Sequence, residues 1–298
     1  MNRRNFIIGT SGVALTAFNT PLFAQAAGDK MDRIALGTVL YRNRFKQTKA
    51  REIERIENEL TLLQIPEYFK SRFGIRNIEF WSNHFESREE AYLKELRGKI
   101  QSAGCTLVNV QIDDEYDLAA KDEAKRLEYV AHAKQWIDAV ALLGSKCIRL
   151  NPGRANGSVE QSIKSMKEVN RYAKERGLIM LTENHFGLEM NPEVHLRIVE
   201  ESGPDNIYTL PDFGNYPDKT RYESLEKILP KAYFISAKVI EFDKDMNHTS
   251  FDFDRCVKMA EAAGFKGIYS VEQWGPKYQP LDEEKVAEWL IEHVKANI

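Results

Sequence analysis

The sequence predicts a single (β/α)8 TIM barrel, an α/β fold of eight parallel strands wrapped by helices. Three observations lead there. Short apolar runs rich in β-branched residues alternate with longer amphipathic stretches, the pattern of a parallel sheet wound with helices. The runs number eight, enough to close a barrel. Three carboxylates stand at or just past run ends in the C-terminal half, and a barrel of parallel strands gathers such ends around one mouth, where its active site lies.

The first 26 residues stand outside this pattern. Arg3-Arg4-Asn5-Phe6-Ile7-Ile8 is a twin-arginine motif, a weakly apolar run follows through Phe18, and Ala24-Gln25-Ala26 fits the small-residue rule for signal cleavage. The apolar run falls short of the roughly 20 residues of a spanning helix, so no stable membrane anchor is expected. Export by the twin-arginine route, to a periplasm or its equivalent, is the expected localisation. Removing residues 1–26 from the 298 leaves 272. That is close to the roughly 250 typical of one barrel, and the domain is expected over 27–298.

Composition narrows the partners. The formal net charge is −3, and losing the two arginines of the leading segment makes it −5. Mild acidity argues against nucleic acid, which needs a basic face. Of the three cysteines, Cys105 and Cys147 begin strand runs and Cys256 lies in a helical run, so all three read as free thiols.

The strand runs are 33–41, 75–81, 106–112, 146–151, 178–183, 207–212, 233–240 and 267–272. The stretches between them carry helical periodicity; 124–143 sets Leu127, Val130, Ala131, Ile137, Val140 and Ala141 broadly along one side. Gly104, Gly144, Gly177 and Gly264 precede strand runs, where a helix C-cap calls for positive φ. No linker or composition shift divides the chain.

The chemistry concentrates at the later strand ends. Glu183 and His185 lie two apart, so they share a face while Asn184 points the other way. A charge so close to an apolar run is costly unless it is paired or metal-bound. Asp212 opens the loop Asp212-Phe213-Gly214-Asn215, and Glu272 follows Ile268-Tyr269-Ser270-Val271. Carboxylates converging at one mouth can hold a hard divalent cation, and a flanking pair can move protons. In 234–239, Ser236 and Lys238 share a face. Lys238 can pair with a carboxylate, donate a proton to a substrate oxygen or, with a lowered pKa, form a Schiff base; nearby carboxylates favour its charged form. Trp81, His84, Gln111, Asn151 with Arg154, Asn215 and Trp274 are the candidate substrate contacts. His132, His195 and His293 lie in helical stretches and read as solvated.

Leu181-Thr182-Glu183-Asn184-His185, Leu210-Pro211-Asp212-Phe213-Gly214-Asn215, Ala237-Lys238 and Val271-Glu272-Gln273-Trp274-Gly275, with Phe73-Gly74-Ile75 leading to Ile78-Glu79-Phe80, resemble the xylose-isomerase-like TIM barrels. The resemblance covers essentially all of the chain past the leading segment. It implies a sugar isomerase or epimerase with a carbohydrate substrate and a divalent ion (Mn, Mg, Co or Zn) held by Glu, Asp, His and Glu. Glu183, Asp212 and Glu272 match three of these ligands, and Ser236 stands where the histidine is expected. The two glutamates, Glu183 and Glu272, would be the acid–base pair, with Lys238 beside them. The endonuclease branch of the superfamily does not fit, because its trinuclear zinc site needs several histidines at strand ends. Two alternatives use the same residues: elimination or hydrolysis of a keto-glycoside, and sugar binding without turnover.

Overall fold

The computed structural model describes residues 29–275 and 277–298; the leading segment lies outside the described residues. Eight strands follow in chain order: β1 Ile34–Gly37, β2 Asn77–Trp81, β3 Thr106–Ile112, β4 Cys147–Leu150, β5 Ile179–Glu183, β6 Ile207–Leu210, β7 Phe234–Val239 and β8 Ile268–Gln273. The helices between and after them are α1 Ile65–Phe73, α2 Glu90–Ser102, α3 Glu123–Leu143, α4 Val159–Glu175, α5 Pro192–Glu201, α6 Arg221–Ile228, α7 Phe253–Ala262 and α8 Glu283–Asn297. All sheet pairings are parallel, in the order β6-β5-β4-β3-β2-β1-β8-β7. The predicted (β/α)8 barrel is the fold.

The barrel closes between β6 and β7 through single bridges, Thr209 to Ala232 and Asp212 to Ser236, in place of a continuous ladder. Pro211 explains the break, because it has no N–H to donate. Its carbonyl still accepts the Ser236 N–H at 3.0 Å, and the Phe213 N–H reaches the Ser236 carbonyl at 3.1 Å. The strand expected over 207–212 therefore ends at Leu210. At the other end of the chain, the run 33–41 is a strand only to Gly37, and Thr38–Arg44 winds as 3-10 helix. Thr38 through Tyr41 are all buried, so the run lacks the alternation that separates a strand from buried helix.

The four glycines expected as helix caps all have positive φ, between 66° at Gly104 and 85° at Gly264. Helix α3 corrects one expectation: Leu127 is 48 % exposed, and the buried face is led instead by Arg126, Val130, Ala133, Trp136 and Ile137. The helix buries an arginine by pairing it with Glu123 and Glu168 at 2.9 Å each. His195 corrects another, being fully buried in α5 against the Thr182 hydroxyl. The three cysteines are free. Among the described residues no helix is long and apolar enough to cross a membrane.

Strand alternation sends two different cores to the two faces. Outward residues such as Ile78, Val110, Ile148, Met180, Ile235 and Val271 pack under the helices. Inward, Ala35, Cys147, Leu181, Leu210, Phe234 and Ile268 fill one end of the barrel with apolar side chains. Further along the same inward faces the residues turn polar: Glu79, Asn109, Ser236 and Ser270, then Lys238 and Glu272, which are register partners on β7 and β8. The mouth at the strand C-termini is thus the polar end of an otherwise dry cylinder.

Candidate active site

Glu183, Asp212 and Glu272 meet at that mouth. One ligating oxygen from each lies within 4.8 Å of the others, and all three residues are buried. Each is positioned by its own strand end. Glu183 is the last residue of β5. Asp212 follows Pro211, and its backbone is pinned by Asn184: the Asp212 N–H donates to Asn184 Oδ1 at 2.8 Å, and Asn184 Nδ2 donates to the Asp212 carbonyl at 3.0 Å. Asn184 points away from the cluster, as the strand alternation requires, and works as a structural brace. Asp212 Oδ1 is saturated by the N–H groups of Gly214 and Asn215 at 2.6 and 3.0 Å, which leaves Oδ2 facing inward.

Two cations serve these acids. Lys238 Nζ stands 3.1 Å from Asp212 Oδ2 and also donates to Asn215 Oδ1. Burial pulls the Lys238 pKa down, but Asp212, Glu272 and Glu183 outweigh it and the ammonium is held charged. A Schiff-base role, which needs a lowered pKa, does not fit. Asn215 in turn donates to Glu183 Oε1 at 3.0 Å, so it links Lys238 to the glutamate.

The second cation is Arg149, fully buried on β4. Its Nη1 donates to Asp113 Oδ1 at 2.5 Å and to the Ile112 carbonyl at 2.9 Å. Its Nε is 2.9 Å from Glu183 Oε2, but the N–H is not aimed at that oxygen, and both atoms lack a hydrogen bond. Glu183 Oε2 is therefore a buried acceptor with electrostatic company and an open lone pair. Truncating Arg149 would strand the buried carboxylate of Glu183 and the half-buried one of Asp113, a loss on the order of 3–5 kcal/mol.

Electrostatics separates the groups by role. Burial raises the Glu272 pKa to about 7, with Lys238 opposing and Asp212 reinforcing the shift. Burial likewise pushes Glu183 well above the ordinary range, against the pull of Arg149. Burial also works against ionised Asp113, yet Arg149 wins and its pKa is lowered. His185 is driven by burial down to about 4, so it is neutral at pH 7. Its Nδ1 is 3.2 Å from Asn151 Nδ2, which can donate to it.

Most of the expected contact residues line one cavity of about 450 Å³ that opens at the mouth. Trp81, Gln111, Asn151, His185 and Trp274 are in its wall, with Glu183, Lys238 and Glu272. Gln111 Nε2 donates to Glu272 Oε2 at 3.2 Å, and Trp81 Nε1 donates to Asp113 Oδ2 at 2.8 Å. Asn215, which bridges Lys238 and Glu183, is not in that wall, and neither is His84. His84 is fully buried, stacks on Phe45 with ring centroids 3.7 Å apart, and meets the hydroxyls of Thr38 and Thr48 at 3.0 Å each. Its pKa falls to about 3 through burial, so it is a neutral packing residue and does not line the cavity.

Ser236 sits directly beside Asp212 across the barrel seam, one inward step below Lys238, and its buried Oγ has no hydrogen-bond partner. The sequence reading missed Arg149, Asp113, Glu189 and Phe186. Arg149 had a signal: a charge inside the apolar run Cys147-Ile148-Arg149-Leu150, two residues before Asn151.

The donor set fits a hard divalent cation. Oxygens on opposite sides of such an ion lie about 4–5 Å apart, given bond lengths of about 2.0–2.6 Å. The 4.8 Å cluster and the unpartnered Glu183 Oε2 meet that requirement.

The family model described as xylose isomerase-like TIM barrel matches residues 70–297. The chain belongs to that family. No curated protein matches it in sequence. Among solved structures, a xylose isomerase-like TIM barrel protein from Mycobacterium smegmatis in complex with magnesium aligns at TM-score 0.62 and 14 % identity, covering 89 % of this chain and 97 % of that one. D-psicose 3-epimerase in the presence of D-fructose aligns at 0.62 and 13 %, covering 89 % and 96 %. The 3-keto-D-glucoside 4-epimerase of E. coli aligns at 0.60 and 14 %, covering 87 % and 98 %. At these identities the likeness is one of fold.

Proposed function

We propose that this family member is a sugar isomerase or epimerase that moves a proton at a carbon next to a carbonyl. The observation that carries the reading is the pair Glu183 and Glu272: both are buried and both are held above the ordinary carboxyl range, Glu272 at about 7, beside the Asp212–Lys238 ion pair. A general base works best when its pKa lies near the working pH, and one carboxyl at each side of a sugar carbon can take a proton and return it.

In this reading Glu272, steadied by Gln111, and Glu183, steadied by Asn215, exchange the substrate proton. Lys238 presents a charged N–H donor to a substrate oxygen. Neutral His185 and Asn151 hold a hydroxyl further out. A divalent ion (Mn, Mg, Co or Zn) bound by Glu183, Asp212 and Glu272 would polarise the carbonyl and hydroxyl oxygens and acidify the intervening C–H. The sugar epimerases among the structural neighbours support a carbohydrate substrate. The motif Arg3-Arg4 with Ala24-Gln25-Ala26 supports export, and hence a free or glycosidic sugar over a cytoplasmic phosphorylated one.

The test is solvent-deuterium incorporation. Purified protein, loaded in turn with each metal and then stripped with chelator, is incubated with sugars and keto-sugars in D2O. Metal-dependent label at one carbon supports the reading. A metal-loaded protein that binds a sugar yet exchanges no carbon-bound hydrogen in any of them refutes it.

A further inference from the structure

Phe186 is held in a conformation its side chain disfavours. Its φ is 61°, and positive φ is uncommon for a bulky residue and costs on the order of 1–3 kcal/mol. Burial is not the reward, since the residue is 68 % exposed.

Three features fix it there. A single oxygen, Glu189 Oε1, accepts the N–H of His185 at 3.2 Å and the N–H of Gly187 at 2.8 Å, the two amides that flank Phe186. Gly187 admits no side chain, because a Cβ would meet the Gly153 carbonyl oxygen at 2.1 Å. The Arg154–Gly187 bridge and the Leu188 N–H to the Gly153 carbonyl, at 3.2 Å, tie the loop after β5 to the loop after β4. Glu189 is itself fully buried. A buried carboxylate, a side-chain-free glycine and a bridge thus converge to display one aromatic ring.

A second ring is displayed on the same cavity. Trp274 is 39 % exposed, with the Arg42 guanidinium 4.5 Å from its centre and the Trp81 ring 5.7 Å away at 75°. Among the described residues four large apolar side chains are exposed: Leu127, Phe186, Trp274 and Tyr278. Phe186 and Trp274 both line the cavity that holds the carboxylates. Each follows one of the two glutamates closely, Phe186 three residues after Glu183 and Trp274 two after Glu272. The cavity, at about 450 Å³, lies within the range that takes ligands of drug size.

We infer that the site accepts a glycoside: one sugar ring lies over the glutamate pair, and a second ring, glycosidically joined to it, packs against Phe186 and Trp274. The inference rests on the function proposed above and narrows its substrate class. Glu189 is a positioning residue, acting through the backbone on both sides of Phe186. The rings would gain binding by apolar burial and face contact with the second ring, and neither touches the proton being moved.

Binding and turnover separate the two ideas. Calorimetry on the Mn-loaded protein compares methyl glycosides, 4-nitrophenyl glycosides and disaccharides of glucose, galactose and xylose, each with the free sugar. The expected result is about tenfold tighter binding of the two-ring ligands over the methyl glycoside of the preferred sugar. Phe186→Ala should erase most of that advantage while leaving the methyl glycoside unchanged. Phe186→Gly, which removes the strain along with the ring, should do the same, and Trp274→Ala should act in the same direction. Equal affinity for one-ring and two-ring ligands in the wild type overturns the inference. So does an advantage that survives in all three variants, or no measurable binding of any glycoside. The isomerase reading fails on a different result: a bound sugar that shows no deuterium exchange while the two-ring preference stands.

Discussion

Replacing Glu189 by glutamine tests whether that carboxyl really sits in a dry pocket. Burial raises its pKa from the ordinary 4.5 to about 7, against the lowering by the N–H groups of Gly187 and His185. The folded protein therefore holds this proton more tightly than the unfolded chain. Between pH 4.5 and 7 the folded state carries more protons, so stability falls as pH rises, and the loss is complete above the folded pKa. A shift of that size is worth about 3 kcal/mol in full, of which about 2.5 kcal/mol is lost between pH 5 and pH 8. Glutamine keeps the oxygen that accepts the two amides and cannot ionise. Its direct cost is the same at both pH values and cancels in the comparison. Urea unfolding of wild type and Glu189→Gln, at pH 5 and pH 8 with chelator throughout, should show the wild type losing about 2.5 kcal/mol relative to the variant. A gap that does not change with pH would mean that water reaches Glu189 and that the carboxylate clamp on Phe186 is weaker than its geometry implies.

Other consequences are more direct. Glu272→Gln should cut deuterium exchange by about a hundredfold or more with unchanged thermal unfolding, since the amide keeps the shape but cannot take a proton; near wild-type exchange would rule out its base role. Divalent-ion affinity should weaken as pH falls below about 7, by up to about tenfold per unit, because the ion displaces a proton from Glu272. A titration that is flat from pH 6 to pH 8 would contradict this. Ser236→His places an imidazole beside Asp212 across the seam, so zinc affinity should rise more than magnesium affinity. No gain for zinc would show that position 236 does not reach the cluster. Lys238→Met should tighten binding of every divalent ion tried, by removing the ammonium 3.1 Å from Asp212 Oδ2.

The barrel was legible in the sequence because strand alternation and glycine caps are local signals. The third run, 106–112, was read to the residue, and the glutamate–aspartate–glutamate cluster followed from strand ends alone. What escaped was non-local. The stop of β1 at Gly37 has no local signal, since the run stays buried through Tyr41 whether strand or 3-10 helix. His84 follows Trp81 closely and looked like a mouth residue, yet Phe45 and Thr48, from an irregular segment that no periodicity places, close over it. Glu189 carried no signal, because nothing in its neighbours says that its carboxylate turns back onto the amides around Phe186. The Asn184 brace was half visible: alternation gave its direction, but its partner, the Asp212 backbone, lies just past the end of the next strand.

Charge balance explains why this site can hold both a lysine and a cation. Within the ion-paired cluster, Glu183, Asp212, Glu272 and Asp113 formally bring four negative charges and Arg149 and Lys238 bring two positive ones; the buried acids Glu79 and Glu189, whose pKa values burial raises, stand outside it. The excess of two cannot stay bare in a pocket shielded from water. Protons are one answer, and the raised pKa values of Glu183 and Glu272 show which acids would take them. A single divalent ion is the other answer, and it matches the excess in charge and the oxygen donors in kind. The choice decides chemistry as well as stability. Protons neutralise the two residues that must accept one from substrate, whereas an ion leaves both ionised and ready. Lys238 then weakens the hold on a cation and also sets the charge the cation must match: without the lysine the excess would be three, which attracts a divalent ion more strongly but leaves one charge that the ion alone does not cancel.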